Sequence, residues 1–246
     1  MKIAIVTGGS SGVGRSTVLQ LTRQGYGVIF TFRTRAEEAQ ALAAETRDAV
    51  ALPLDVADVA TFDGFVARVR STLHQRWKRD DFDVLVNNAG MGGGMPFTEV
   101  TDAYFERMFA TNFKGPFFLT QKLVPLLREG GHIVNVSSRS TALTSAGYSV
   151  YGATKSALTT VTRYWAKELA PRKIRVNSIS PGPILTNLGD SAFAKHPEYI
   201  APLAASTLLG RIAQPDDVAD VIVSLLGDSF RYVTGTDLDV SGGFQL

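Results

Sequence analysis

Cysteine is absent from this 246-residue chain. That excludes disulfides, thiolate nucleophiles and thiolate-ligated metal or iron–sulfur centres. Histidine is scarce. His74, His132 and His196 lie far apart and read as surface or loop residues rather than ligands, so no metal is expected. Net charge is nearly absent as well: 25 Lys and Arg against 23 Asp and Glu leave a formal +2. That is too little to argue for nucleic acid or an anionic membrane surface as a partner. No uninterrupted apolar run approaches the ~20 residues of a membrane-spanning helix. No charged leader with a cleavable apolar stretch precedes the first apolar segment at Ile3. These absences predict a soluble protein, most simply cytoplasmic.

What is present is a globular composition, 45% hydrophobic and 20% charged. Short, continuous β-branched runs at residues 3–6, 28–32, 49–52, 82–86, 132–136, 174–179 and 236–240 alternate with helical patterns. Such runs predict a doubly wound α/β sheet of the Rossmann type, mostly parallel, with about seven strands and helices on both faces. One domain spanning residues 1–246 accommodates them. Thr34-Arg-Ala-Glu37 reads as a capping box before an alanine-rich helix. Pro215, Asp216 and Asp217 suit a helix start, and Gly227 its stop. The stretch from Pro181 to Gln214 is long and irregular. Segments of that kind are usually functional, and a substrate lid within 183–214, with short helices of its own, is expected.

The first strand runs into Thr7-Gly-Gly-Ser-Ser-Gly-Val-Gly14, followed by a helical pattern. Gly8, Gly12 and Gly14 let the backbone approach a pyrophosphate closely. Ser10, Ser11 and Val13 lie in the same turn, where a helix N-terminus offers N–H groups. The spacing departs from the common G-x-G-x-x-G. Beyond the second strand, where an acid would read an NAD ribose, stand Phe32, Arg33, Thr34 and Arg35, with no acid before Glu37. Arg33, helped by Thr34 or Arg35, suits a 2′-phosphate, so NADP(H) is preferred over NAD(H). The alternative is that these arginines are merely solvated. Asp55, next to Val56, either accepts from the adenine amino group or caps the following helix.

Tyr151 and Lys155 stand at i and i+4, on one face of an expected helix. An adjacent ammonium lowers the pKa of a phenol and would ready it for proton exchange near neutrality. Taken alone, the pair is better explained by an amphipathic helix with one exposed Lys and one half-buried Tyr.

These pieces occur together. Thr7-Gly-x-x-x-Gly12-x-Gly14, Asn87-Asn-Ala-Gly90, Asn112, Ser138, Tyr151-x-x-x-Lys155 and Pro181-Gly182 resemble, in order and spacing, the short-chain dehydrogenase/reductase family. The likeness covers essentially the whole chain. It points to the branch of about 250 residues that includes 3-oxoacyl-carrier-protein reductases and ketone reductases. The resemblance implies that Tyr151 is the general acid in carbonyl reduction, with Lys155 tuning it and binding the nicotinamide ribose. By the same resemblance Ser138, rather than its neighbour Ser137, holds the substrate oxygen, and Asn112 helps hold a relay water. Asn87 would be structural, on the cofactor side, with Ala89 and Gly90 lining the cofactor. Pro181 and Gly182 would pack on the nicotinamide, and Ile184 and Thr186 would hold its carboxamide, presenting the 4-pro-S face. A homotetramer is usual in the family, with a homodimer as the alternative. Tyr148, Met91 and Met95 are expected to shape the substrate pocket. The glycines of Met91-Gly-Gly-Gly-Met-Pro96 either loosen its mouth or form a plain flexible loop. An oxidative alcohol or sugar dehydrogenase uses the same residues. A non-catalytic dinucleotide sensor would typically lack Tyr151 or Lys155.

Overall fold

Every residue of β1 (Ile3–Val6), β2 (Gly27–Phe32) and β4 (Phe82–Asn87) is buried, which is why these segments read as unbroken apolar runs. β3 (Ala49–Pro53), β5 (Leu127–Val136), β6 (Arg175–Pro181) and β7 (Asp237–Val240) complete a seven-stranded sheet of order β3-β2-β1-β4-β5-β6-β7. All six pairings are parallel, more uniform than the mostly parallel sheet expected. The structure is a computed structural model that describes residues 1–186, 193 and 195–246.

Successive strand residues feed two separate cores, as the two-residue period of a strand requires. Val28, Phe30, Val84 and Val134 pack with Val18 and Leu21 of α1 (Gly12–Arg23) and with Ala39 and Leu42 of α2 (Ala36–Glu45). Ile5, Ile29, Leu85 and Ile133 pack on the other face with Phe65, Val69 and Leu73 of α3 (Phe62–Trp77). Beyond α3 the chain forms α4 (Asp102–Phe109), a π-helical turn (Ala110–Lys114) and α5 (Gly115–Leu123), and later α6 (Ser149–Glu168). Leu119 and Leu123 of α5 and Trp165 of α6 belong to this second core. Fully burying one such side chain stabilises the fold by about 1.5–3 kcal/mol. Trp165 and Leu158 are buried within one chain, and the Phe117 ring lies tilted against Trp165, with centroids 5.7 Å apart. Among the described residues, no helix is long and apolar enough to cross a membrane.

Two local expectations need correction. The Thr34–Glu37 capping box does not form: α2 begins at Ala36, its N-cap is Arg35, and no side chain caps it. Glu37 and Glu38 in the first turn instead offset the positive end of the helix dipole. β5 begins at Leu127, five residues before its apolar run. Gly130 and Gly131 coincide with a register shift against β4, so the early part of the strand is polar and glycine-rich.

The expected lid contains α7 (Ile200–Ala205), preceded by a 3-10 turn (Pro197–Tyr199). A parallel bridge between Ile184 and Ala213 ties its two ends together. Residues 187–192 and 194, which fall within the expected lid, lie outside the described residues. α8 (Pro215–Leu225) starts as its sequence signals, with Gln214 and Asp217 closing a reciprocal capping box.

Candidate active site

The strand order reverses between β1 and β4, the place where open α/β sheets bind ligands at the carboxyl ends of the strands. The loop after β1 is stitched to the loop after β4. Thr7 Oγ1 accepts from the backbone N–H groups of Asn88 and Ala89, each at 2.9 Å. Asn88 Nδ2 donates to Thr7 O at 2.9 Å and Gly8 O at 3.1 Å. Gly8 has φ +66, and a Cβ there would lie 2.9 Å from Ala89 Cα. A Cβ on Gly14 would lie 2.2 Å from Gly8 O. The two loops approach so closely that only glycine fits. Ser11 is the N-cap of α1 but offers no side-chain cap, and the first turn of α1 holds no acid. Free N–H groups without a competing carboxylate suit an anion. Thr186 lies over this turn, its Cγ2 3.4 Å from where a Cβ on Gly12 would stand. Residues 8–14, 87–90 and 181–186 thus frame one crevice, and its glycine-lined floor fits a dinucleotide.

At its far end Arg33 and Thr34 are exposed just beyond β2, and Asp55 is exposed just beyond β3. Leu54 N–H donates to Phe32 O at 2.9 Å, which keeps these two strand ends adjacent. Asp55 Oδ1 accepts from Ala57 N at 2.9 Å in a local turn, and the next helical segment, Val59–Thr61, has Asp58 as its N-cap, so the expected capping by Asp55 is corrected. Val56 is buried beside it. Asn87 is wholly structural in its contacts: its Nδ2 donates to Thr120 Oγ1 at 2.9 Å and Asn135 Oδ1 at 2.8 Å.

Tyr151 and Lys155 emerge from the first turns of α6, both buried, beside the carboxyl end of β5. Lys155 Nζ donates to Val136 O at 2.8 Å and stands 6.0 Å from the centre of the Tyr151 ring. Burial pulls the Lys155 pKa down to about 8. Burial also raises the Tyr151 phenol above its ordinary value, a hydrogen bond with Ser138 opposes that rise, and the Tyr148 phenol adds to it. The expectation that Lys155 lowers the phenol is therefore corrected for the protein alone. Both groups lie in a dry pocket, and the ammonium is turned to a backbone carbonyl. Ser138, half-buried, also accepts from Ser140 N at 3.1 Å. Ser137 has a different task, bonding Lys155 O at 3.2 Å and Thr159 at 2.7 Å.

Asn112 lies in the π-helical turn, a distortion often found at functional sites. Its Oδ1 accepts from Met91 N at 2.8 Å, and its Nδ2 donates to Met91 O at 3.0 Å. It also reaches Thr154 Oγ1 at 3.3 Å. A Cβ on Gly90 would lie 3.2 Å from Asn112 Oδ1 and 3.4 Å from Lys155 Nζ, so the two side chains flank the same backbone. Pro181 is buried at the end of β6, and Gly182 packs against Ser241. Ile184 pairs with Ala213. Tyr148 precedes α6, and its ring stands edge-on to Tyr151 at 6.1 Å. Sequence reading missed Asn88, Thr31 and Tyr104. Thr31 Oγ1 accepts from Gly8 N at 3.0 Å. Asn88, beside Asn87, was the one with a visible signal.

The chain is similar to known proteins over nearly its whole length. Residues 8–245 match the family described as enoyl-(acyl carrier protein) reductase. The chain is 37% identical over 248 residues to an uncharacterized oxidoreductase of Methylorubrum extorquens, covering 99% of this chain and 98% of that protein. It is 33% identical over 251 residues to the 3-oxoacyl-[acyl-carrier-protein] reductase FabG of Staphylococcus aureus, covering 100% of this chain and 98% of FabG. The solved structure of the angucycline C-6 ketoreductase LanV with bound NADP matches with a TM-score of 0.91 at 33% identity, covering 99% of this chain and 95% of LanV. Its motifs, sheet and relatives place the chain in the short-chain dehydrogenase/reductase family of oxidoreductases.

Proposed function

We propose that this protein is an NADPH-dependent reductase of ketone or 3-oxoacyl carbonyls, with Tyr151 as its general acid. The observation that carries the reading is the buried Tyr151 phenol, one helical turn from the buried Lys155 and beside Ser138, at the carboxyl edge of the sheet. Burial keeps the phenol protonated, as a proton donor must be at the start of reduction. Ser138 donates a second, neutral hydrogen bond to the substrate oxygen as negative charge grows there. Lys155 supplies a positive charge close to that oxygen, and Asn112, across the Gly90 backbone, orders the route by which the proton is replaced.

Bound NADPH supplies the hydride to the carbonyl carbon. Gly8, Ser10, Ser11, Gly12, Val13 and Gly14 hold its pyrophosphate, and Arg33 with Thr34 holds the 2′-phosphate. Asp55 and Val56 flank the adenine. Ala89, Gly90, Pro181, Gly182, Ile184 and Thr186 line the nicotinamide half, with Asn87 behind them. The exposed guanidinium of Arg33 at the end of β2 and the NADP bound to LanV support the cofactor choice.

The test is an NADPH-oxidation screen across acetoacetyl thioesters, cyclic ketones, aryl ketones and sugars, repeated with NADH and with Tyr151→Phe. Loss of at least ~100-fold in turnover with NADPH binding retained supports the assignment. A fully active Phe variant refutes it.

A further inference from the structure

Residues 91–95, Met-Gly-Gly-Gly-Met, form a strap over the mouth of the site. Three consecutive glycines have the greatest conformational freedom a chain can possess, so the strap holds one shape only if it is anchored. Its ends are anchored by Asn112, which bonds both backbone groups of Met91, and by Met95 N donating to Gly147 O at 2.9 Å. Its middle is anchored by one side chain: Tyr104 of α4 donates its hydroxyl to Gly93 O at 3.0 Å. Gly93 takes φ +149, a conformation other residues rarely adopt. The next residue then lies flat on an aromatic ring, because a Cβ on Gly94 would fall 3.0 Å from Tyr148 Cε2 and 3.3 Å from Cδ2. Tyr148 is 41% exposed and stands edge-on to Tyr151, at an interplanar angle of 83°. The strap therefore backs a ring that walls the space where a substrate carbonyl meets Tyr151.

We propose that Tyr104 is a positioning residue that sets the width of the substrate slot. Its phenol holds Gly93, Gly94 is thereby pressed on Tyr148, and the slot admits flat or unbranched ketones while excluding those branched beside the carbonyl. This inference rests on the carbonyl-reductase reading of the site. Tyr104 touches neither substrate nor Tyr151 in this role. It acts through the strap and through Tyr148.

Tyr104→Phe keeps the ring and deletes the donor. Losing one hydrogen bond of ordinary strength should speed hydrogen exchange of the 91–95 amides by about 2- to 10-fold. By the same reasoning the ratio of kcat/KM for an aryl isopropyl ketone to that for the aryl methyl ketone should rise about 2- to 10-fold. The kcat on the methyl ketone and NADPH affinity should stay at wild-type values. Gly94→Ala pushes on the Tyr148 ring and should lower the same ratio. Tyr104→Phe with wild-type exchange overturns the proposal, and that measurement requires no substrate. Faster exchange with an unchanged ratio in both variants overturns it too, since Tyr104 would then be only a structural tie. Failure of the wild type to reduce any ketone overturns the functional reading instead.

Discussion

The Lys155 ammonium donates to the carbonyl oxygen of Val136 at 2.8 Å, in a pocket dry enough to pull its pKa from 10.5 to about 8. The unfolded lysine keeps its proton up to the higher value. Between the two, the unfolded chain binds more protons, so stability rises with pH. Below pH 8 both states are protonated and the full cost of the buried charge remains. Lys155→Met should therefore stabilise the protein at pH 7 by about 1–3 kcal/mol while abolishing reduction. The gain should shrink from pH 8 to pH 10. Urea unfolding at pH 7 and pH 9.5 checks this, and a Met variant less stable than wild type at pH 7 would contradict it.

Asn112 bonds both backbone groups of Met91 and also meets Met108 Sδ at 3.0 Å. Asn112→Ala leaves a half-buried peptide unit unpaired and should cost about 1–3 kcal/mol of stability. Asn112→Asp keeps the acceptor for Met91 N but sets a buried carboxylate oxygen against Met91 O, so it should lose at least as much. Thermal denaturation of the three proteins orders them. Equal stability of wild type and Ala variant would show that the clamp contributes nothing.

The buried strands were legible because a parallel sheet covered on both faces must be apolar without alternation, as residues 3–6 and 82–86 show. Gly8, Gly12 and Gly14 were legible because their lack of side chains is itself the signal. The polarity of Tyr151 was not. Charge proximity at i and i+4 suggested a lowered phenol pKa, but desolvation, which depends on every segment that closes the pocket, prevails in the protein alone. Tyr104 was invisible for a related reason. Its partner is a backbone carbonyl 11 positions away, and no spacing rule links a helix phenol to a loop peptide. The early part of β5 was missed because Gly130 and Gly131 interrupt the apolar pattern.

Asn88 ties the glycine-rich loop after β1 to β4 through Thr7 O and Gly8 O. Asn88→Ala removes both bonds and frees the Gly8 turn. The variant should lose about 1–2 kcal/mol of stability, and its NADPH affinity should fall about 3- to 10-fold. Fluorescence titration with NADPH measures the second effect. Unaltered affinity would mean that the crevice does not depend on this tie.

Arg33 stands exposed beyond β2 with no acid beside it before Glu37. If it holds the 2′-phosphate, Arg33→Ser should weaken NADPH binding by about 10- to 100-fold and leave NADH binding nearly unchanged. Titration with both cofactors checks it. An equal loss for both would assign the guanidinium to something other than the 2′-phosphate.

His132, read from the sequence as a surface or loop residue, is instead buried within β5, and burial with the nearby charge of Arg175 brings its pKa from 6.5 down to about 3. Asn177 Oδ1 accepts from Thr236 N at 3.2 Å, so its Nδ2 faces the imidazole at 2.9 Å. Nε2 is thereby the acceptor and the proton sits on Nδ1, which finds no partner among the described residues. The folded state binds this second proton poorly, whereas the unfolded chain takes it up below its ordinary pKa. Stability from this group is intact above pH 6.5 and is lost as pH falls toward 3, at about 1.4 kcal/mol per pH unit. His132→Leu removes the titration, and Asn177 Nδ2 keeps Val233 O as its acceptor at 3.0 Å. The Leu variant should therefore lose less stability than wild type between pH 6.5 and pH 4.5. Urea midpoints at pH 7, 5.5 and 4.5 decide it: parallel declines in the two proteins would place the acid sensitivity elsewhere.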